Sequence, residues 1–260
     1  EELNMKKLIS LCLAMTMLLG SMVGCGKTPT SSSGNPSNSE GGGLGTPQTF
    51  KFGLTVASTH PYSIAAQNFA ELVEEKSGGN MTVDLYYDSS LGDDAALMES
   101  MQMNAVTFAL VGPAGIAPMC PIYEFFDLPC LFATRDAAYA FQESEPVLEL
   151  MDSLSANGLR GLGFYENGYY AISNNAKEIT TVDGLNNLKL RSMTSEMAIK
   201  SWECLNVQPV AMAFGELFMA MQTGTVDGQE TTIGSFYTSK FYEVQKYLTL
   251  ANRIYHTMTF

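Results

Sequence analysis

Along the 260 residues, two periodicities alternate from about position 49 onward. Thr49–Val56 (TFKFGLTV) alternates apolar and polar like a half-buried strand. Pro61 then opens a helix whose apolar positions Ile64, Ala65, Phe69, Leu72 and Val73 keep helical spacing, and Lys76-Ser77-Gly78-Gly79 ends it. Met81–Tyr87 reads as a strand, and Leu91-Gly92-Asp93-Asp94 as a turn that starts a helix with Asp93 as its N-cap. Val106–Val111 is an apolar run for a buried strand, bounded by Gly112-Pro113. Helices follow over Arg135–Gln142 and Pro146–Ala156, then strands over Leu159–Tyr165, Tyr169–Ser173 and Leu188–Arg191. A helix over Ser195–Leu205, a strand over Val207–Ala211, a helix over Phe214–Gln222 and a strand over Thr225–Gln229 continue the pattern. Strands alternating with helices predict an α/β protein with mainly parallel pairing. Two lobes fit the length, residues 49–170 and 171–260, with a crossover near Gly168–Ser173.

The first 48 residues follow a different rule. Lys6-Lys7 precede an apolar run from Leu8 to Val23, too short and too diluted by Ser10, Thr16, Gly20 and Ser21 for a bilayer span of ~20 residues. A basic start, a short apolar stretch and small residues predict a secretory signal over residues 1–25. Met22-Val23-Gly24-Cys25 resembles a bacterial lipobox, which makes Cys25 the expected lipid anchor. Residues 26–48 are dominated by Gly, Ser, Thr, Pro and Asn and predict a flexible tether of about 25 Å r.m.s. reach. Met5 makes a better initiator than the Glu1-Glu2 start.

Charge narrows the function. Fourteen Lys+Arg against 27 Asp+Glu leave a net charge of −13, so no general positive field exists for a nucleic acid. An acidic protein that binds an anion must do so with a local cation in a pocket. Beyond Cys12 and Cys25, three cysteines remain: Cys120, Cys130 and Cys204. They read as small buried thiols, with Cys120–Cys130 the one local pair that could bridge, and their spacing makes no zinc site. Phosphate loops, zincin and hydrolase-elbow motifs are all missing, and no feature makes His60 or His256 a catalytic base, so no enzyme and no cofactor is expected.

One cation stands out. Leu188-Lys189-Leu190-Arg191 puts Arg191 at the end of an apolar strand, where open α/β sheets build ligand crevices. A guanidinium there can grip a carboxylate with two parallel hydrogen bonds, although an Arg capping a strand at the surface is the blander reading. The aromatic set Tyr169, Tyr170, Phe214, Phe236, Phe241 and Tyr242 serves more often as core than as a ligand wall.

Several phrases in order shift that balance: FAELVEEKSGG ending at Gly79, LGDDAALMESM from Leu91, FFDLPCLF from Phe125 and ENGYYAISN from Glu166. GLNNLKLRS from Gly184, MAFGELFMAMQTGTVDGQE from Met212 and KFYEVQKYLTL from Lys240 complete the series. Together they resemble the extracytoplasmic solute-binding proteins of TRAP transporters, over Thr49 to Phe260. The resemblance implies a two-lobed α/β clamshell with hinge strands that closes on an organic acid and hands it to an ion-gradient-driven membrane permease. It also implies that Arg191, the Arg of the family's LK-hydrophobic-R motif, clamps the carboxylate. Tyr170 stands where the family often carries an Arg, and Thr231 where it usually carries an Asn, which implies a single carboxylate with a less polar remainder. Thr55, Asp94, Gly112 and Phe214 are the other pocket positions that the resemblance carries over. Family members continue well past the IYHTMTF segment, so a C-terminal helical region is expected to lie outside this sequence. A binding protein of an ATP-driven importer and a sensory ligand-binding module are the competing readings.

Overall fold

The computed structural model describes residues 46–260. The expected leader, Cys25 and nearly all of the tether lie outside them. Strand β1 (Gln48–Gly53) is the centre of a parallel three-stranded sheet, flanked by β2 (Met81–Tyr86) and β3 (Phe108–Ala109). Each connection carries a helix. Helix α1 (Pro61–Lys76) begins at Pro61, with the His60 imidazole accepting from the Tyr62 N–H. Helix α2 (Asp94–Gln102) begins at Asp93, whose carboxylate accepts from Ala96 N at 2.9 Å as the sequence predicts. Two apolar layers cover this sheet. Phe52, Leu54, Ala66, Leu110 and Met258 pack on the α1 side, and Leu97, Met98, Ala109, Val111, Tyr123 and Phe126 on the other. A one-turn helix α3 (Pro113–Ile116), a 3-10 segment Pro121–Asp127, and helices α4 (Arg135–Gln142) and α5 (Glu145–Ser153) complete the lobe.

The second sheet has six strands. In its parallel part, β5 (Lys189–Ser192) lies between β6 (Gln208–Ala211) and β7 (Gly228–Thr232). Helix α6 (Glu196–Glu203) covers one face through Trp202, which packs with Ile172, Leu188, Leu190 and Val207. Helices α7 (Leu217–Gln222) and α8 (Ile233–Thr238) cover the other through Leu217, Met221 and Phe236, joined by Phe241 of the following 3-10 turn. Gly228 of the TVDGQE phrase has a steric reason: a Cβ there would fall 1.9 Å from the Ser173 carbonyl oxygen.

One long strand joins the two parts. β4 (Phe164–Asn174) pairs antiparallel with β9 (Tyr255–Thr259) along its first half. Along its second half it pairs antiparallel with β7 and with β8 (Tyr247–Thr249). The switch falls at Tyr170, just after Gly168, whose φ of +100° lies at a register shift within the β4–β9 ladder. β9 reaches the first sheet as well, through a bridge between Val111 and Thr259.

Three sequence expectations are corrected. Pairing is mixed rather than mainly parallel, because all three ladders made by β4 are antiparallel. Leu159–Tyr165 and Tyr169–Ser173 are not separate strands, since residues 159–163 are irregular and β4 runs unbroken. Cys130 and Cys204 are exposed rather than buried, and Cys120, Cys130 and Cys204 are all free thiols.

Candidate functional site

Arg191 sits near the end of β5, beside Gln229 of β7, and is 7% exposed. Its Nε donates to the Met212 carbonyl at 3.1 Å. Among the described residues it has no ion pair and no other hydrogen bond. Burial pulls its proton affinity down, while Tyr170, Glu230, Asp94 and Asp127 pull it back. A guanidinium stays charged under such conditions, so this is a largely buried positive charge without a bonded counter-ion.

Asp94 and Gly112 come to it from the first lobe. Asp94 is the first residue of α2, and its Oδ2 accepts from Gly112 N at 3.1 Å. Its Oδ1 is buried without a partner. Burial lifts the Asp94 carboxyl to about 6, against the opposing pull of the Gly112 N–H and Arg191. Tyr170, 5% exposed, enters from β4 and donates from its hydroxyl to the Met193 sulfur at 3.4 Å. Burial pushes its phenol well above the usual range, and Arg191 is among the charges acting on it.

The remaining predicted residues are placed around this cluster. Thr231 is buried in β7, two residues beyond the partner of Arg191, so both side chains leave the same sheet face. Thr55 and Phe214 line a separate cavity of about 300 Å³ together with Asp88, Phe218, Lys240 and Phe241. Another cavity of about 290 Å³, lined by Met98, Ile116, Leu162 and Phe260, contains none of the predicted site residues. Arg191, Asp94, Gly112 and Tyr170 therefore form one group, with Thr55 and Phe214 beside a second space.

Sequence reasoning missed His256. Its ring stacks on Tyr170 with centroids 4.9 Å apart and planes at 20°. Burial, followed by the Arg191 charge, lowers its pKa to about 3, so the imidazole is neutral at physiological pH. A lone His in a short strand carries no motif, and only the pairing of β9 with β4 brings it beside Tyr170.

A second buried polar group borders the first. Arg253 donates from Nε to Glu230 Oε2 at 3.0 Å, from Nη2 to Glu230 Oε1, and from Nη1 to Ser201 Oγ at 2.9 Å. Its guanidinium carbon lies 3.9 Å from the centroid of the Trp202 ring. Nearby, Ser195 Oγ donates to Asp127 Oδ2 at 2.6 Å, tying the first lobe to the N-cap of α6. Burial raises the Asp127 carboxyl to about 7.

Among the described residues no metal-binding cluster of His, Cys, Asp and Glu occurs, and no helix is long and apolar enough to cross a membrane. The sequence model of the family described as "DctP: Bacterial extracellular solute-binding protein, family 7" matches residues 52–260. The chain belongs to this family. It is 31% identical over 210 residues to the 2,3-diketo-L-gulonate-binding periplasmic protein YiaO of Escherichia coli. It is 34% identical over 206 residues to the C4-dicarboxylate-binding protein DctB of Bacillus subtilis. These matches cover 80% and 79% of this chain but only 63% and 59% of the relatives, which are longer. In structure, the DctP-family fold matches the sugar acid binding protein DctPAm of Advenella mimigardefordensis, in complex with galactonate. The TM-score is 0.81 at 38% identity, over 83% of this chain and 69% of that one. A TRAP periplasmic solute binding protein from Sulfurospirillum deleyianum with bound succinate matches with a TM-score of 0.80 at 29% identity, over 82% and 69% of the two chains. The two-lobed α/β clamshell is thus the fold of this chain.

Proposed function

We propose that this chain belongs to an extracytoplasmic receptor that captures an organic acid through one carboxylate and delivers it to a TRAP permease. Arg191 is the clamp. The observation that carries the reading is its buried guanidinium, with only Nε engaged and both outer nitrogens without a partner among the described residues. A carboxylate can take those two nitrogens in parallel, and exclusion of water on lobe closure strengthens the pair. Such closure is hinge motion, as in periplasmic binding proteins generally. Tyr170 and Thr231, in place of Arg and Asn, favour a ligand with one carboxylate. The galactonate and succinate bound in the structural neighbours support an organic acid as the class. Attachment to the outer face of the membrane through Cys25, and reach through the tether of residues 26–48, complete the reading.

Calorimetry with a panel of mono- and dicarboxylic acids tests the clamp. Arg191→Ala should weaken binding by about 2–5 kcal/mol, or roughly 30- to 4,000-fold, because the buried anion loses its partner. Arg191→Lys should recover only part, since an ammonium cannot make the planar contact. Wild-type affinity in Arg191→Ala would return Arg191 to a structural role. For the anchor, Cys25→Ala should abolish lipid labelling and release the protein from membranes.

A further inference from the structure

Apart from strands β4 and β9 and the segment that leads into β9, the described residues join the two lobes by hydrogen bonds at two places. One is on the α6 side. Asp127 Oδ2 accepts from Ser195 Oγ at 2.6 Å, and Glu124 Oε1 accepts from Glu196 N at 3.2 Å. Arg253, two residues before β9, donates to Ser201 of the same helix, so this contact is tied to the connecting strands. The other is on the opposite face of the second sheet. There His60 of the first lobe meets Ser235 of α8, Nε2 to Oγ at 3.1 Å, and each residue is 2% exposed.

The direction of the second contact is fixed from within the first lobe. The Tyr62 backbone N–H donates to His60 Nδ1 at 3.3 Å, so that nitrogen carries no proton. Burial lowers the His60 pKa to about 4, so the neutral ring carries its proton on Nε2 and donates it to Ser235 Oγ. The titratable groups about it are the Tyr62 phenol, with ring centroids 3.9 Å apart, and Asp94, whose charge acts on that phenol. Helix α8 brings no charged side chain. A single neutral hydrogen bond is a modest tie that can be made and broken.

Around this tie the lobes touch without filling the space between them. The cavity of about 300 Å³ takes Thr55 and Asp88 from the first lobe, and Phe214, Lys240 and Thr238, the last residue of α8, from the second. Gly215 lines it too, and a Cβ built there would lie 3.6 Å from the Ser89 Cβ of the first lobe. The α8 side is therefore two facing surfaces held by one bond, whereas the α6 side is linked to the connection itself.

We infer that the His60–Ser235 hydrogen bond is a latch that holds the lobes shut along the α8 side. Its release lets them part about β4 and β9 while the Asp127–Ser195 contact stays made. The inference rests on the two-lobed fold and not on the carboxylate reading of Arg191. His60 and Ser235 are positioning residues for closure.

The test needs no ligand. With imidazoles labelled with ¹⁵N, NMR should show wild-type His60 neutral and protonated on Nε2 from about pH 7 down to about pH 5. Ser235→Ala leaves the Thr232 cap of α8 in place and removes the latch. Its lobes should part, expose the ring and raise the His60 pKa by about one unit or more toward the ordinary value near 6.5. A ring that loses its partner in an unopened cleft keeps its low pKa. Ser89→Cys with Gly215→Cys, on a background of Cys130→Ser and Cys204→Ser, puts two Cβ atoms at disulfide spacing when the lobes are shut. Bridging this pair with oxidised glutathione in the Ser235→Ala protein should return the His60 pKa to the wild-type range, and reduction should raise it again. His60→Asn keeps a cap for α1 but is too short to reach Ser235, and it should slow the bridging by about threefold or more. A wild-type His60 that titrates near 6.5, or a Ser235→Ala His60 as low as the wild type, overturns the latch. A raised pKa that the bridge does not lower, or a bridging rate unchanged by His60→Asn, overturns it as well, and none of these outcomes bears on Arg191.

Discussion

Arg191 and Arg253 are two buried guanidiniums in one neighbourhood, 7% and 8% exposed, with opposite surroundings. Arg253 spends all three nitrogens on protein groups and lays its face on Trp202. Arg191 spends one nitrogen on a backbone carbonyl. Burying a charge costs several kcal/mol after relaxation, and a bidentate carboxylate offsets that cost. Glu230 does so for Arg253, whose side chain thereby cross-links β7 to α6 through Ser201 and Trp202. No side chain among the described residues does so for Arg191. Equal burial with unequal pairing separates an arginine that holds the fold from one that the fold holds ready. Under the proposed function the second is the ligand's partner.

The sharpest way to break that comparison is to truncate both. Arg253→Ala leaves Glu230 buried in the core without its partner and should cost about 3–5 kcal/mol of stability. At about 2–4 °C per kcal/mol for a domain of this size, the midpoint should fall by roughly 6–20 °C. Arg191→Ala in the absence of ligand should move it by less than about 2 °C, since the relieved desolvation offsets the lost Met212 contact. Scanning calorimetry of the two variants decides the matter. An equal fall in both would make Arg191 structural.

Parts of this arrangement were legible in the sequence, and parts were not. Arg191 could be found because an apolar strand ending in a cation is a local pattern. Asp93 could be found as a cap because capping needs only the next three residues. β8, β9 and the unbroken course of β4 could not be found, because they depend on antiparallel pairings between residues 73 to 95 positions apart. Those same pairings bring His256 beside Tyr170. The exposed Cys130 and Cys204 show the limit of residue-type averages, since burial of a small thiol depends on the element that carries it. Tyr170 was legible as a departure from a motif, but not its stacking on His256.

A second test uses pH. Asp127, 0% exposed, titrates near 7 in the folded chain because burial penalises its charge. An unfolded Asp loses its proton near 3.9. The folded state thus holds the extra proton between the two values, so this group's contribution to stability falls as pH rises from about 4 to about 7 and is level above that. Asp94, near 6, adds to the same slope. Asp127→Asn keeps an acceptor for Ser195 and removes the charge. Its midpoint should match the wild type near pH 4 and exceed it by roughly 8–17 °C at pH 8. A constant offset at both pH values would show that Asp127 is not the group that titrates.

The smallest effect belongs to Tyr170, which touches both regions of the comparison through the charges of Arg191 and Glu230. Its hydroxyl donates to a thioether, a weak acceptor, while its ring supplies the stacking on His256. Tyr170→Phe keeps the ring, so the midpoint should move by less than about 2 °C. If the hydroxyl turns from Met193 to the bound acid, affinity should drop by about 0.5–1.5 kcal/mol, or roughly 2- to 13-fold. Tyr170→Arg sets a second guanidinium beside Arg191 and should move preference from single to double carboxylates, read as the ratio of propionate to succinate affinity. Repulsion between the two cations should make that variant less stable without ligand and strongly stabilised by succinate. A propionate-to-succinate ratio unchanged from wild type would mean that position 170 does not face the ligand, and would leave Arg191 as the one cation that reads it.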